Sequence, residues 1–200
     1  DGKGVWMYRS AVGAGTANWA NARLRWNYGV DGVLDNDSVE IRLFAVEMVY
    51  CPQAAFNLGS GGNETYHFRD GVNDTYFPIT SENSIACGAN AGNLWTAGGQ
   101  YWFTGTLPAA YPKGYKAVWC MKYEISQGQY AEFLNYISSA QAATRFPNAN
   151  GSVRHTITGT HPNFTASAPN RACNYLSNID GMAYADWSGL RPMSELEYEK

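Results

Sequence analysis

The chain predicts an α+β fold with much irregular structure, preceded by a small β segment. Three observations predict it. Near the N-terminus, Arg23–Tyr28 and Val39–Leu43 alternate polar and apolar residues with the period of a half-buried strand. Further on, Ser126 with Gln129, Ser177 with Asp180 and Ser194 with Glu197 carry the spacing of helix capping boxes. Twenty-one Gly and eight Pro in 200 residues break the remainder into turns, which argues against a helical bundle.

Taken in order, residues 1–46 read as a β segment, the end of a β-sandwich-like domain. Asp31-Gly32 and Asp35-Asn-Asp-Ser38 supply turn residues between its two strands. From Glu47 to Gly59 a short strand, a turn marked by Pro52 and a second strand follow. Residues 60–115 show no sustained periodicity and read as long packed loops, because disordered chains lack residues such as Trp95, Tyr101, Trp102 and Phe103. Ala117–Ile125 reads as a strand leading into the clearest helix, which Ser126 caps and which places Tyr130, Phe133, Leu134 and Ile137 on one face. Residues 140–172 revert to loop. A second short helix starts at Ser177, gathers Ala183 and Trp187 on one face and stops at Gly189. A third starts at Ser194, with Arg191 placed to pair with a following Glu. Only six residues follow this last cap, although such a box announces several turns. The polypeptide is therefore expected to continue, and its missing part to hold further chemistry. The start, Asp-Gly-Lys-Gly, has no initiator Met, so processing or truncation is expected there too.

A net charge of −3 gives no electrostatic reason to expect nucleic acid or an anionic membrane as partner. No apolar run approaches the roughly 20 residues of a membrane span. The four cysteines, Cys51, Cys87, Cys120 and Cys173, form no Cys-x-x-Cys pair, which disfavours zinc. Two disulfides are the expectation, of undetermined pairing, with buried free thiols the alternative. Asn63, Asn73, Asn150 and Asn163 stand in glycosylation sequons, which matter only in a source that N-glycosylates secreted proteins. Asp31, Asp35 and Asp37 offer hard oxygens suited to calcium, but without the Gly and closing Glu of an EF-hand loop a solvated turn is preferred. His67, His155 and His161 are too widely spaced for a local metal site and read as surface histidines. Glu195, Glu197 and Glu199 point to different helix faces and suit the positive end of a helix dipole better than a catalytic cluster.

Three segments carry a family resemblance. Met48-Val-Tyr-Cys-Pro-Gln-Ala-Ala-Phe-Asn-Leu-Gly59 matches an opening strand of the type Val-x-Ile-Pro-x-Gly-x-Phe-x-Met-Gly. Tyr123-Glu-Ile-Ser-Gln-Gly-Gln-Tyr-Ala-Glu-Phe133 matches a strand-and-helix motif Tyr-Glu-Val-Thr-Asn-x-x-Tyr-x-x-Phe. Asp180-Gly-Met-Ala-Tyr-Ala-Asp-Trp187 and Arg191-Pro-Met-Ser-Glu-Leu-Glu-Tyr-Glu199 match Asp-Ala-x-x-Tyr-x-x-Trp and Arg-Leu-Pro-Thr-Glu-Ala-Glu-Trp-Glu. In this order, residues 47–200 resemble the N-terminal part of a domain of the formylglycine-generating enzyme (sulfatase-modifying factor) family.

The resemblance implies a compact α+β fold related to C-type lectins. It carries no catalytic residue across: the family's copper-binding cysteine pair and its usual calcium ligands belong to a part that follows residue 200. No cofactor is therefore expected within this segment, calcium being the one possibility. Among the family's enzymes and noncatalytic members, the latter fit best: a binding or structural module of a secreted, cell-surface or periplasmic bacterial assembly, with protein partners or self-assembly through edge strands. One alternative is a copper- or iron-dependent oxidase of thiol or sulfur substrates completed beyond Lys200. A second is a glycan-binding lectin-like domain, with Trp95, Tyr101 and Trp102 stacking on sugar rings.

Overall fold

In a computed structural model, residues 7, 18–62, 64–96, 98, 104–147 and 153–200 are described. They form a mixed α+β structure of several small sheets and, among the described residues, four α-helices.

Residues 18–46 contain no strand among the described residues; their regular element is a single 3₁₀ turn, Tyr28–Asp31. This corrects the strands expected at Arg23–Tyr28 and Val39–Leu43; residues 1–6 and 8–17 of the expected β segment lie outside the described residues. Alternation makes a segment fit for pairing, but among the described residues neither Arg23–Tyr28 nor Val39–Leu43 finds a partner strand.

The first strands among the described residues are β1 (Met48–Cys51) and β2 (Phe56–Leu58), the strand, Pro turn and strand expected from the sequence. Residues 60–115 are more regular than their sequence suggests. They contribute β3 (Phe68–Asp70), β4 (Phe77–Ile79), β5 (Ile85–Cys87), β6 (Leu94–Thr96) and β7 (Gly105–Leu107). Each strand is three residues long, too short for a period of two to register in sequence. β2 pairs with β4, and a four-stranded sheet runs β3-β6-β5-β7. Gly59, with φ +85°, lets this lobe close: a Cβ there would sit 1.9 Å from the carbonyl oxygen of Phe68.

β8 (Val118–Met121) returns antiparallel to β1, pairing Met48 with Met121 and Cys51 with Val118. Then α1 (Gln127–Tyr136) and α2 (Ser139–Arg145) follow, each with a complete capping box, at Ser126/Gln129 and Ser138/Gln141. The second box starts α2 in a stretch whose sequence predicts loop. Small strands β9 (Ile157–Thr158) and β10 (Thr165–Ala166) pair with each other. The chain then forms α3 (Asn178–Trp187), capped by Ser177 and Asp180, and the single turn α4 (Glu195–Tyr198), capped by Ser194 and Glu197.

Two cores result. One gathers Tyr130, Phe133, Leu134, Ile157 and Tyr184 between the helices and the β9–β10 pair. The other gathers Leu58, Phe77, Ile79, Cys87 and Leu94 from the short strands, and α4 adds Leu196 to it. Ser194 Oγ donates to the Pro112 carbonyl at 2.8 Å, fastening α4 to that lobe. Lys113 is buried there; its Nζ donates to the Pro108 carbonyl and, at 2.6 Å, to that of Tyr111. Burial pulls its pKa below the usual lysine value, partly offset by Glu82.

Candidate functional site

From Asp37 to Glu47 the chain runs without turn or bend. Successive side chains of such a stretch point to opposite sides, and the structure shows what each side meets. Arg42 lies over the Tyr136 ring, 4.8 Å from its centroid. Phe44 makes edge contacts with Tyr136 at 5.1 Å and with Trp187 at 5.0 Å. Trp187 in turn contacts Phe133 and Tyr184 of the helical core. The segment is thus pinned to α1 and α3 by its even-numbered residues.

The odd-numbered apolar residues are exposed, and Phe44 itself keeps 43% of its surface in solvent. Val39 is 45%, Ile41 75% and Leu43 77% exposed, an apolar row that nothing in the chain covers among the described residues. No backbone–backbone hydrogen bond is made by residues 38–46 among the described residues, so the amides and carbonyls are open to pairing. Glu40 forms an ion pair with Arg42 two positions on, on the polar side.

The preceding turn is held by its own acids. Asp31 accepts from Trp26 Nε1 at 2.7 Å, Asp35 from Tyr28 Oη at 2.8 Å, and Asp37 from the Leu34 amide at 2.8 Å. The bond to Asp35 holds the Tyr28 phenol above its ordinary value. The three carboxylates expected in a solvated turn therefore each have a local donor. Among the described residues no three His, Cys, Asp or Glu side chains converge on a point where a metal would sit.

The four cysteines are unpaired in this structure, and no two of them stand at disulfide distance, where two disulfides are expected from the sequence. Cys51 and Cys120 lie diagonally across β1 and β8 with sulfurs 3.8 Å apart, against a bonded length of about 2.05 Å. Cys87 belongs to one core and Cys173 packs against the other, so these two are separated by the architecture itself. Burial pushes the Cys173 thiol up to about 11 and raises Cys87 as well.

The histidines are not surface residues as a group: His67 and His155 are buried. Their short polar spans fill gaps in loops. His67 Nδ1 faces the Glu64 carbonyl, and His155 Nδ1 lies 3.3 Å from Asn174 Oδ1. Partly buried His161 meets the Ile137 carbonyl through Nε2 at 2.9 Å. Of the aromatic residues considered for sugar stacking, Trp95 stands half-buried in β6 opposite Arg69. Tyr101 and Trp102 lie outside the described residues. A shallow hollow of about 210 Å³ between β4 and β5, edged by Phe77, Ile79, Ser81 and Asn83, is smaller than the ~300–1,000 Å³ of ordinary ligand pockets.

One buried residue escaped the sequence reading. Gln127, at the first turn of α1, is fully buried. Its Nε2 donates to the carbonyls of Arg154 at 2.9 Å and Ala172 at 3.3 Å. Its Oε1 accepts from the amide of Thr156 at 2.8 Å and from Thr156 Oγ1 at 2.7 Å. All four bonding positions of the amide are filled. Only its place beside a cap, where a polar residue usually faces water, hid it.

Comparison with protein-family models, curated proteins and solved structures finds no match to this chain. Among the described residues, no helix is long and apolar enough to cross a membrane.

Proposed function

We propose that this chain is a noncatalytic binding or structural module of a secreted or surface-exposed bacterial assembly. The observation that carries the reading is the segment Val39–Phe44. It has the sequence of a strand, it is anchored through Arg42 and Phe44, and it presents an apolar row and a backbone that no other described residue covers or pairs with. A segment prepared in this way suits addition to the edge of a neighbour's sheet, where backbone bonds supply affinity and side-chain rows supply register.

The body of the module is proposed to be the N-terminal part of a formylglycine-generating-enzyme-like, C-type-lectin-related domain. In support, the resembling segments coincide with elements here: β1 and β2, the β8–α1 junction, α3 and α4.

Protein extracted from its native cell envelope tests the reading. The expected result is migration in a complex much larger than the chain, and cleavage by protease added to intact cells. Stoichiometric copper or iron together with thiol-dependent oxygen uptake would overturn it in favour of an oxidase.

A further inference from the structure

The occupant of the open strand is encoded in its charge order. Val39-Glu40-Ile41-Arg42-Leu43 reads apolar, acid, apolar, base, apolar, so it is complementary to itself when reversed. We infer that Val39–Leu43 pairs antiparallel with the same segment of a second copy of this chain, about a two-fold axis at Ile41. This deepens, and rests on, the reading of the chain as an assembly module.

In that register Ile41 faces its own copy, Val39 faces Leu43 of the second copy, and Glu40 faces the second copy's Arg42. The two-fold makes the last pairing occur twice, as an isologous interface requires. Directly opposite side chains in an antiparallel pair share a face and lie about 5 Å apart, close enough for both the apolar and the charged pairs to act. Competing arrangements are disfavoured by the same residues. Parallel pairing in register sets Glu40 beside Glu40 and Arg42 beside Arg42, and like charges directly opposite destabilise a pair. An antiparallel slip by one residue puts the apolar row against the polar face.

The domain leaves the strand free to pair in this way. Its anchors, Arg42 over Tyr136 and Phe44 against Trp187, act through the face, whereas pairing uses the edge. Residues 38–46 spend no backbone group on another described residue. Glu40 and Arg42 pair within the chain, but their side chains are 71% and 51% exposed, which leaves both able to exchange partners.

Charge exchange tests this. Purified chain is examined by sedimentation velocity across a wide concentration range, with Glu40→Arg and Arg42→Glu as variants. Both side chains are exposed, and circular dichroism melting shows whether each variant folds. Wild type is expected to dimerise. Each variant alone, now carrying like charges at positions 40 and 42, is expected to dimerise at least tenfold more weakly, the effect of about 1.4 kcal/mol. Mixed in equal amounts, the two variants are expected to form a heterodimer, because every Arg of one then faces a Glu of the other. A monomeric wild type, or a mixture no tighter than its components, overturns the pairing. A large native envelope complex alongside monomeric purified chain would sink the self-pairing while leaving the assembly reading in place.

Discussion

Arg191 grips Glu197 with two parallel hydrogen bonds, Nη1 to Oε2 at 2.8 Å and Nη2 to Oε1 at 2.6 Å, and the Ser194 amide donates to the same Oε2 at 2.9 Å. Glu197 is only 5% exposed, whereas Arg191 is 55% exposed. The buried partner therefore has more to lose. Glu197→Ala is expected to cost about 2 kcal/mol, the scale of hydrogen bonds to a charged group. Arg191→Ala is expected to cost less, about 1 kcal/mol, since solvent screens an exposed guanidinium. Urea midpoints measure both, and an unchanged midpoint for Glu197→Ala would show that the clamp stabilises nothing.

Acid is expected to loosen the fold through this carboxylate and through Asp180. Hydrogen bonding from Arg191, working against burial, holds Glu197 below its ordinary 4.5. Burial pushes Asp180 up, but bonds from Ser177 and from Arg145 outweigh it and hold it below 3.8. A carboxylate with a depressed folded-state pKa stabilises fully above its unfolded value and loses that contribution as pH falls through the folded one. Stability is thus expected to be level toward neutrality and to decline below about pH 4.5. Glu197→Gln is expected to flatten that decline. Thermal melts at stepped pH decide it; an equally steep acid limb in the variant would refute the assignment.

Gln127→Leu keeps the volume of the side chain and removes its polar end. The Thr156 amide and the carbonyls of Arg154 and Ala172 are then stranded in the interior. A loss of about 3 kcal/mol is expected, since each orphaned buried group costs about 1–3 kcal/mol. A loss below the error of chemical denaturation would mean that water takes over the bonds.

Oxidation is expected to join Cys51 and Cys120 and leave the other thiols alone. Glutathione disulfide serves as the oxidant: two thiols give up two protons and two electrons, and two glutathione molecules form. Burial raises Cys120, with the neighbouring Cys51 adding to it, so the reaction is expected to be faster at alkaline pH. Alkylation after denaturation counts the product. Two labelled residues, Cys87 and Cys173, are expected; four would show that the strands hold the sulfurs apart.

What could be read in the sequence was what local chemistry decides. The boxes at Ser126, Ser177 and Ser194 each satisfy backbone donors within four residues, and all three start helices as read. Arg191 pairs with Glu197 across a turn, again a local matter. Strands shorter than a sequence window leave no trace in the residue pattern, which is why β3 to β7 have the sequence of loops. Gln127 and His155 are buried by segments remote in the chain, and no property of the residues themselves announces that. The segment Val39–Leu43 is the instructive case. It alternates with a period of two, yet a strand is defined by pairing, and its backbone pairs with no other described residue. Half of the candidate surface was therefore legible: the apolar row was visible, but its anchorage through Phe44 was not.

α4 has a consequence for the order in which the polypeptide matures. The short-strand lobe is composed early in the chain, but Leu196 completes its interior, and Glu199 and Lys200 reach the Gly59 amide and the Pro52 carbonyl across 140 and 148 positions. During synthesis this lobe leaves the ribosome with one wall missing. The helical core, whose buried residues run from Tyr130 to Tyr184, has all its parts sooner. Vectorial synthesis therefore favours the later core closing first, with the earlier lobe held as exposed nascent chain until α4 arrives.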